Sequence, residues 1–92
     1  MVAIHPGRIL KRELDARGLS ANRLAIALRV PSGRITDILN GKRGITPETA
    51  LRLARCFDTS AEFWVNLQAH YDLAKVKNER GAAIAAEVRK AS

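Results

Sequence analysis

One cysteine, Cys56, is all the chain contains, so no disulfide can form within it and a reducing cytoplasm fits better than export. Long apolar runs are missing as well. Nowhere do 18 apolar residues follow one another, and the opening MVAIHPGRIL carries no cleavage pattern. Neither a signal peptide nor a membrane span is expected, and the sequence reads as a soluble cytoplasmic protein. Catalytic groups are sparse too. His5 and His70 stand 65 positions apart outside any metal-ligand spacing, and Cys56 has no CxxC or HxxxC companion. Ser20, Ser32 and Ser60 fall at helix starts or on polar surface rather than in a nucleophile turn. Asp37 and Glu48 each lack a second carboxylate nearby in sequence, as a metal-dependent nuclease would need. No enzyme activity, metal or cofactor is therefore expected, and Cys56 reads as a small, partly buried hydrophobe. Internal repeats and low-complexity linkers are also absent.

Acidic residues are few, 9 against 16 Lys and Arg, and the net charge of +7 is unevenly placed. Residues 1–55 hold eleven basic and four acidic side chains, whereas residues 56–92 hold five of each. A basic face of this kind attracts a phosphate backbone, with an affinity that falls as salt rises. A solvated surface, or one that meets an acidic protein, is the alternative that charge alone leaves open.

The basic part of the chain contains Ser20 to Gly41, SANRLAIALRVPSGRITDILNG, which reads as two short helices and a tight turn. Ser20 is a good N-cap, and Leu24, Ala25 and Leu28 mark one apolar face. Pro31 donates no backbone hydrogen bond and biases Val30 away from helix, so a second helix starts there. Ile35, Ile38 and Leu39 give its buried stripe, and Asn40-Gly41 ends it. Its other face carries Ser32, Gly33, Arg34, Thr36 and Asp37, small or polar residues suited to base edges in a major groove. Arg34 is expected to contact guanine or clamp a phosphate, Thr36 to meet a thymine methyl, and Asp37 to accept from cytosine or orient Arg34 or Arg43. Ser20, Asn22 and Arg23 on one side, and Asn40, Lys42 and Arg43 on the other, are the candidate phosphate contacts.

Four segments, HPG at His5 to Gly7, LAIALRVPSGRITDILNGKRGIT at Leu24 to Thr46, TALRLARCF at Thr49 to Phe57 and SAEFWVNLQAHYDL at Ser60 to Leu73, occur in an order that resembles the HigA antitoxins. These belong to the Xre/Cro-like helix-turn-helix superfamily and are related to VapI. The resemblance covers about residues 4 to 76. It implies a DNA-binding antitoxin that neutralises a RelE/HigB-like, mRNA-cleaving toxin and represses its own operon. An Xre-family regulator without a toxin partner is the alternative. The superfamily commonly has a positive-φ glycine where Arg29 stands, so the turn either accepts strain at Arg29 or bends differently.

The fold expected is all-α, a compact five-helix domain with an additional C-terminal helix. His5-Pro6-Gly7 marks the first helix start, with Ile9, Leu10 and Leu14 inward and Gly18 at the end. Thr46-Pro47-Glu48 opens the fourth helix, whose stripe is Ala50, Leu53, Ala54 and Phe57. The fifth, opening at Thr59 or Ser60, is apolar on two sides. Trp64, Leu67, Tyr71 and Ala74 form one stripe, and Val65, Ala69, Leu73 and Val76 another pointing the opposite way. Such a helix needs two partners: its own domain, and then a dimer mate, the C-terminal tail or a different protein. A homodimer suits operator DNA, because two-fold pairs of reader helices engage half-sites one turn apart. The division expected is a helix-turn-helix domain over 1–77 and a helical tail over 78–92.

Overall fold

In the computed structural model, which describes residues 2–91, every element is an α-helix: α1 (Pro6–Arg17), α2 (Ala21–Leu28), α3 (Ser32–Leu39), α4 (Pro47–Phe57) and α5 (Ala61–Glu87). The starts are fixed by side-chain caps that accept otherwise orphaned amides. Ser20 Oγ accepts the Arg23 N–H at 3.1 Å, Thr46 Oγ1 the Thr49 N–H at 3.3 Å, and Ser60 Oγ the Phe63 N–H at 3.1 Å. Proline occupies the first position of α1 and of α4, where its missing N–H costs nothing.

The stops are left-handed residues. Gly18, at φ 62°, sends its N–H back to the Leu14 and Asp15 carbonyls, and Leu19 follows it onto the core. Arg29 does the same after α2 at φ 61°, with its N–H directed at Ala25 and Ile26 and the Val30 N–H bonded to the Ala25 carbonyl at 3.0 Å. The turn thus accepts the strained residue, at about 1–2 kcal/mol. Asp58 repeats the device after α4 at φ 54°.

Packing closes a ring of neighbours: α1 against α3, α3 against α2, α2 against α4, α4 against α5, and α5 back against α1. Its interior is filled by Leu10, Leu14, Leu24, Ala25, Leu28, Ile35, Ile38, Ala50, Leu53, Phe57 and Trp64, joined by Ile45 from the α3–α4 loop. Close approach matters at Gly7, where a Cβ would run into the Ile38 carbonyl at the end of α3. From the last turn of α1 the Arg17 guanidinium reaches to 4.3 Å from the centre of the Phe57 ring at the end of α4.

Two features differ from the sequence reading, and one settles a choice that it left open. Cys56 is exposed rather than partly buried, because an open groove lined also by Ala27, Leu28, Arg29 and Leu51 separates it from the end of α2. Ser60, not Thr59, caps α5, which releases the Thr59 hydroxyl to accept the Trp64 indole N–H at 3.0 Å. Residues 78–87 are helical as expected, but they continue α5 instead of forming a separate helix. Lys77-Asn78-Glu79 holds no proline or stop signal, and a single Gly81 within a helix costs only about 1 kcal/mol.

At about 1.5 Å per residue the 27 residues of α5 reach about 40 Å, most of the longest dimension of a molecule measuring 51 × 23 × 22 Å. Its two apolar sides meet different fates. Trp64 and Ala74 are buried and Leu67 and Tyr71 half-buried, whereas Val65, Ala69, Leu73 and Val76 are exposed, Leu73 by 51%.

Truncating the fully buried indole in Trp64→Ala is expected to cost about 3–5 kcal/mol. A urea denaturation series followed by circular dichroism checks this; a variant within 1 kcal/mol or so of the parent would mean that α5 does not anchor the core.

Candidate nucleic-acid interface

Helix α3 presents the polar face that its sequence pattern implied. Ser32, Gly33 and Thr36 are exposed and Arg34 and Asp37 half-buried, while Ile35 and Ile38 turn fully inward against α1 and α2. Pro31 caps α3 without a side-chain hydrogen bond, so the first amides of the helix keep their capacity to donate and the positive end of its dipole is bare. Thr36 Oγ1 donates back to the Ser32 carbonyl at 3.4 Å, which leaves its methyl group for apolar contact. Beyond Gly33 lies open space, so the backbone there can approach a second surface closely.

Arg34 makes no side-chain hydrogen bond or ion pair among the described residues, and neither Arg34 nor Arg43 is joined to Asp37. Asp37 contributes instead through its backbone, whose carbonyl accepts the Lys42 N–H at 2.8 Å. In this structure Asp37 therefore orients neither arginine.

The flanking candidates divide by the same inspection. Asn22 and Arg23 are exposed on the first turn of α2. Ser20 spends one lone pair as the cap, and its hydroxyl proton remains available to an acceptor. On the other side Asn40, Lys42 and Arg43 are all exposed after α3. Three other basic residues of the first half are committed within the chain. Lys11 pairs with Asp15 at 2.8 Å and Arg17 with Glu13 at 3.1 Å, while Arg52 donates to the Leu28 carbonyl at 2.9 Å and closes the end of α2.

Two residues that shape this region carry no assigned part in the interface in the sequence reading, where His5 only marks the start of the first helix. His5 caps α1, its Nδ1 accepting the Gly7 N–H at 2.9 Å, and its ring hydrogen-bonds the Arg43 backbone and meets the Tyr71 ring edge-on at 4.9 Å between centroids. Burial pushes its pKa down, against the opposing effects of the Arg43 bond and the Asp72 charge. Gln68 Oε1 accepts the Ile45 N–H at 2.7 Å from across 23 residues of sequence. The one local signal for Gln68 is a polar residue four positions after Trp64 on the inward side of α5. Among the described residues no cluster of three or more His, Cys, Asp or Glu side chains could hold a metal ion, and no helix is long and apolar enough to cross a membrane.

Comparison with known proteins agrees with this architecture. A helix-turn-helix family profile matches residues 10–64, from the middle of α1 to the start of α5. The structure of an addiction module antidote protein of the HigA family from Coxiella burnetii superposes with a TM-score of 0.95 at 49% identity, covering 99% of this chain and 100% of that one. The chain belongs to the HigA family of helix-turn-helix antitoxins. The Pseudomonas aeruginosa antitoxin HigA, solved with the higBA promoter, matches this HigA-family chain with a TM-score of 0.95 at 42% identity, over 99% of this chain and 100% of that one. Virulence-associated protein I of Dichelobacter nodosus is 49% identical over 81 residues, 87% of this chain and 75% of that protein.

The lowered pKa of His5 sets a sign for pH dependence. The folded state favours the neutral ring, so as pH falls below about 6.5 the unfolded chain takes up the proton first and stability is lost until the folded-state pKa is passed. Urea midpoints at about pH 7.5 and about pH 5.5 are expected to fall further for the parent than for His5→Asn, whose side chain caps without titrating. Equal losses in the two proteins would remove His5 as the cause.

Proposed function

We propose that this HigA-family chain is an operator-binding antitoxin that works as a homodimer, represses its own operon and neutralises a RelE/HigB-like mRNA-cleaving toxin by direct binding in the cytoplasm. What carries the DNA-binding part is the bare, uncapped start of α3 with Arg34 unpaired beside it and exposed Arg23, Lys42 and Arg43 on either flank. The relative solved with the higBA promoter supports the same use of the fold.

In this reading Ser32, Gly33, Arg34, Thr36 and Asp37 face base edges. Ser20, Asn22, Arg23, Asn40, Lys42 and Arg43 hold phosphates, which orients the helix without reading sequence. Gly33 offers no side chain and Thr36 is short, so direct readout falls mainly to Arg34 and the remainder to DNA shape. The exposed stripe Val65, Ala69, Leu73 and Val76 supplies the face for a second copy. It continues past residue 77 through Ile84, 41% exposed, on a segment too poor in apolar residues to be a stable helix alone. We take residues 1–77 as the DNA-binding domain and 78–92 as a tail that extends the pairing face. Association of the toxin rests on kinship with the antitoxins.

Co-expression with the small reading frame adjacent to its gene, followed by affinity capture and a growth assay, tests the toxin. A stable complex with rescued growth is the expected outcome. An unrelated or non-binding neighbour would leave a helix-turn-helix regulator without a toxin partner.

Arg34→Ala is expected to weaken binding to the promoter upstream of this gene by about fivefold to a hundredfold, with the helical spectrum unchanged. Fluorescence anisotropy on that duplex and on a scrambled one checks it. Unchanged affinity would take Arg34 out of the reading role.

A further inference from the structure

Between α3 and α4 the chain must pass from an exposed basic loop into the core within a few residues. The first half of this loop is closed on α3, the Gly41 N–H bonding the Ile38 carbonyl at 3.1 Å and the Lys42 N–H the Asp37 carbonyl at 2.8 Å. The second half has no helix of its own to satisfy it. Ile45 is buried at 4% exposure, and its N–H finds its acceptor in the Gln68 side chain at 2.7 Å. Gly44 permits this, because a Cβ there would lie 2.9 Å from the Gln68 amide.

The orientation of that amide is determined by its second bond. Gln68 Nε2 donates to Asp72 Oδ1 at 3.0 Å, so turning the amide over would set N–H against N–H at Ile45 and oxygen against carboxylate at Asp72. A second tether reaches the loop through His5, which hydrogen-bonds the Arg43 backbone and packs on Tyr71. Gln68 and Tyr71 are three residues apart on α5 and so lie on one face of it. Lys42 and Arg43, by contrast, make no side-chain hydrogen bond or ion pair among the described residues. Where their charges stand is set by the backbone that α5 holds.

We propose that Gln68 is a positioning residue for DNA binding: by accepting the Ile45 N–H it fixes, from α5, the loop that presents Lys42 and Arg43 to the phosphates. The inference rests on the operator-binding reading above. Its consequence is that the helix carrying the exposed pairing stripe also governs the phosphate clamp, so that a change in the set of α5 reaches the DNA contact without passing through the reader helix.

The test is a double-mutant cycle on the full chain, with a duplex spanning the promoter upstream of its gene as probe. Gln68→Met removes the acceptor at similar volume, and Lys42→Ala with Arg43→Ala removes the charges it positions. Gln68→Met alone is expected to weaken affinity about tenfold, the equivalent of one hydrogen bond to a partly buried amide. In the Lys42→Ala, Arg43→Ala background it is expected to have no further effect. Exchange of the Ile45 amide with deuterium should be slow in the parent, fast in Gln68→Met, and slow again in Gln68→Glu combined with Asp72→Asn, which keeps the acceptor and supplies a donor in place of the opposing carboxylate. Equal losses in both backgrounds would mean that Gln68 acts only on general stability, and parent-like affinity of Gln68→Met would also overturn the proposal. Fast Ile45 exchange in the parent would do the same, even if the Met variant failed to fold. Parent-like affinity of the Lys42→Ala, Arg43→Ala protein would locate the failure in the phosphate reading itself.

Discussion

The fold depends on the first turns of α5 closing the ring of helices, and within them on Trp64. A chain of 92 residues has little interior to spend, and here one indole, fully buried, joins α5 to Phe57 at the end of α4 with ring centres 6.2 Å apart. Burying an indole also buries an N–H, which must be satisfied if the burial is to be favourable. The Thr59 hydroxyl does this from the loop before the helix. That single bond ties the α4–α5 connection to the core, and it explains why Ser60 rather than Thr59 caps α5.

The same economy governs the turns. The helix-turn-helix needs α2 to stop sharply so that α3 can cross it, and Arg29 supplies the left-handed residue without being a glycine. The strain is offset by the carbonyls that the turn satisfies, by Val30 packing on the core, and by Arg52, which donates to the Leu28 carbonyl from α4. A C-terminal turn held from three sides has little freedom to fray, and α3 inherits its direction from it. Gly7 plays the matching part at the opposite end of α3, where only a hydrogen fits beside the Ile38 carbonyl. The candidate reader helix is thus clamped at both ends by backbone geometry rather than by long side chains.

These observations show which parts of the molecule a sequence can reveal. Ser20, Thr46 and Gly18 act on neighbours three to five residues away, and the stripes of α1 to α4 repeat at helical spacing, so all of them are visible locally. The two stripes of α5 were visible for the same reason, although nothing local told which one the domain would cover. His5, Gln68 and Arg52 work through partners 23 to 38 positions away in the chain, and no periodicity marks such residues. Cys56 illustrates the complementary error: adjacency to a buried stripe implies burial only if a neighbouring helix covers it, and the groove beside α2 is open. The run from Lys77 to Asn78 shows that a fall in apolar content does not end a helix when no stop signal accompanies it.

Charge and apolar surface are segregated along this chain, and the segregation is what makes the proposed assembly physically coherent. All the net positive charge lies in residues 1–55, which form α1 to α3 and most of α4, while residues 56–92 balance five basic against five acidic side chains. Two basic domains brought together at random would repel each other. Two copies of α5 meeting along Val65, Ala69, Leu73 and Val76 would bring together helices that each carry three basic and four acidic side chains, so apolar burial would meet little like-charge opposition at the contact. The repulsion between the domains would then act at a distance, where salt screens it over about 10 Å, and a polyanion lying across both would remove it. On this argument DNA does more than attract a basic surface. By neutralising both domains at once, it would stabilise the pairing of the copies, so that in the proposed assembly pairing and operator binding would reinforce each other through different faces of the molecule.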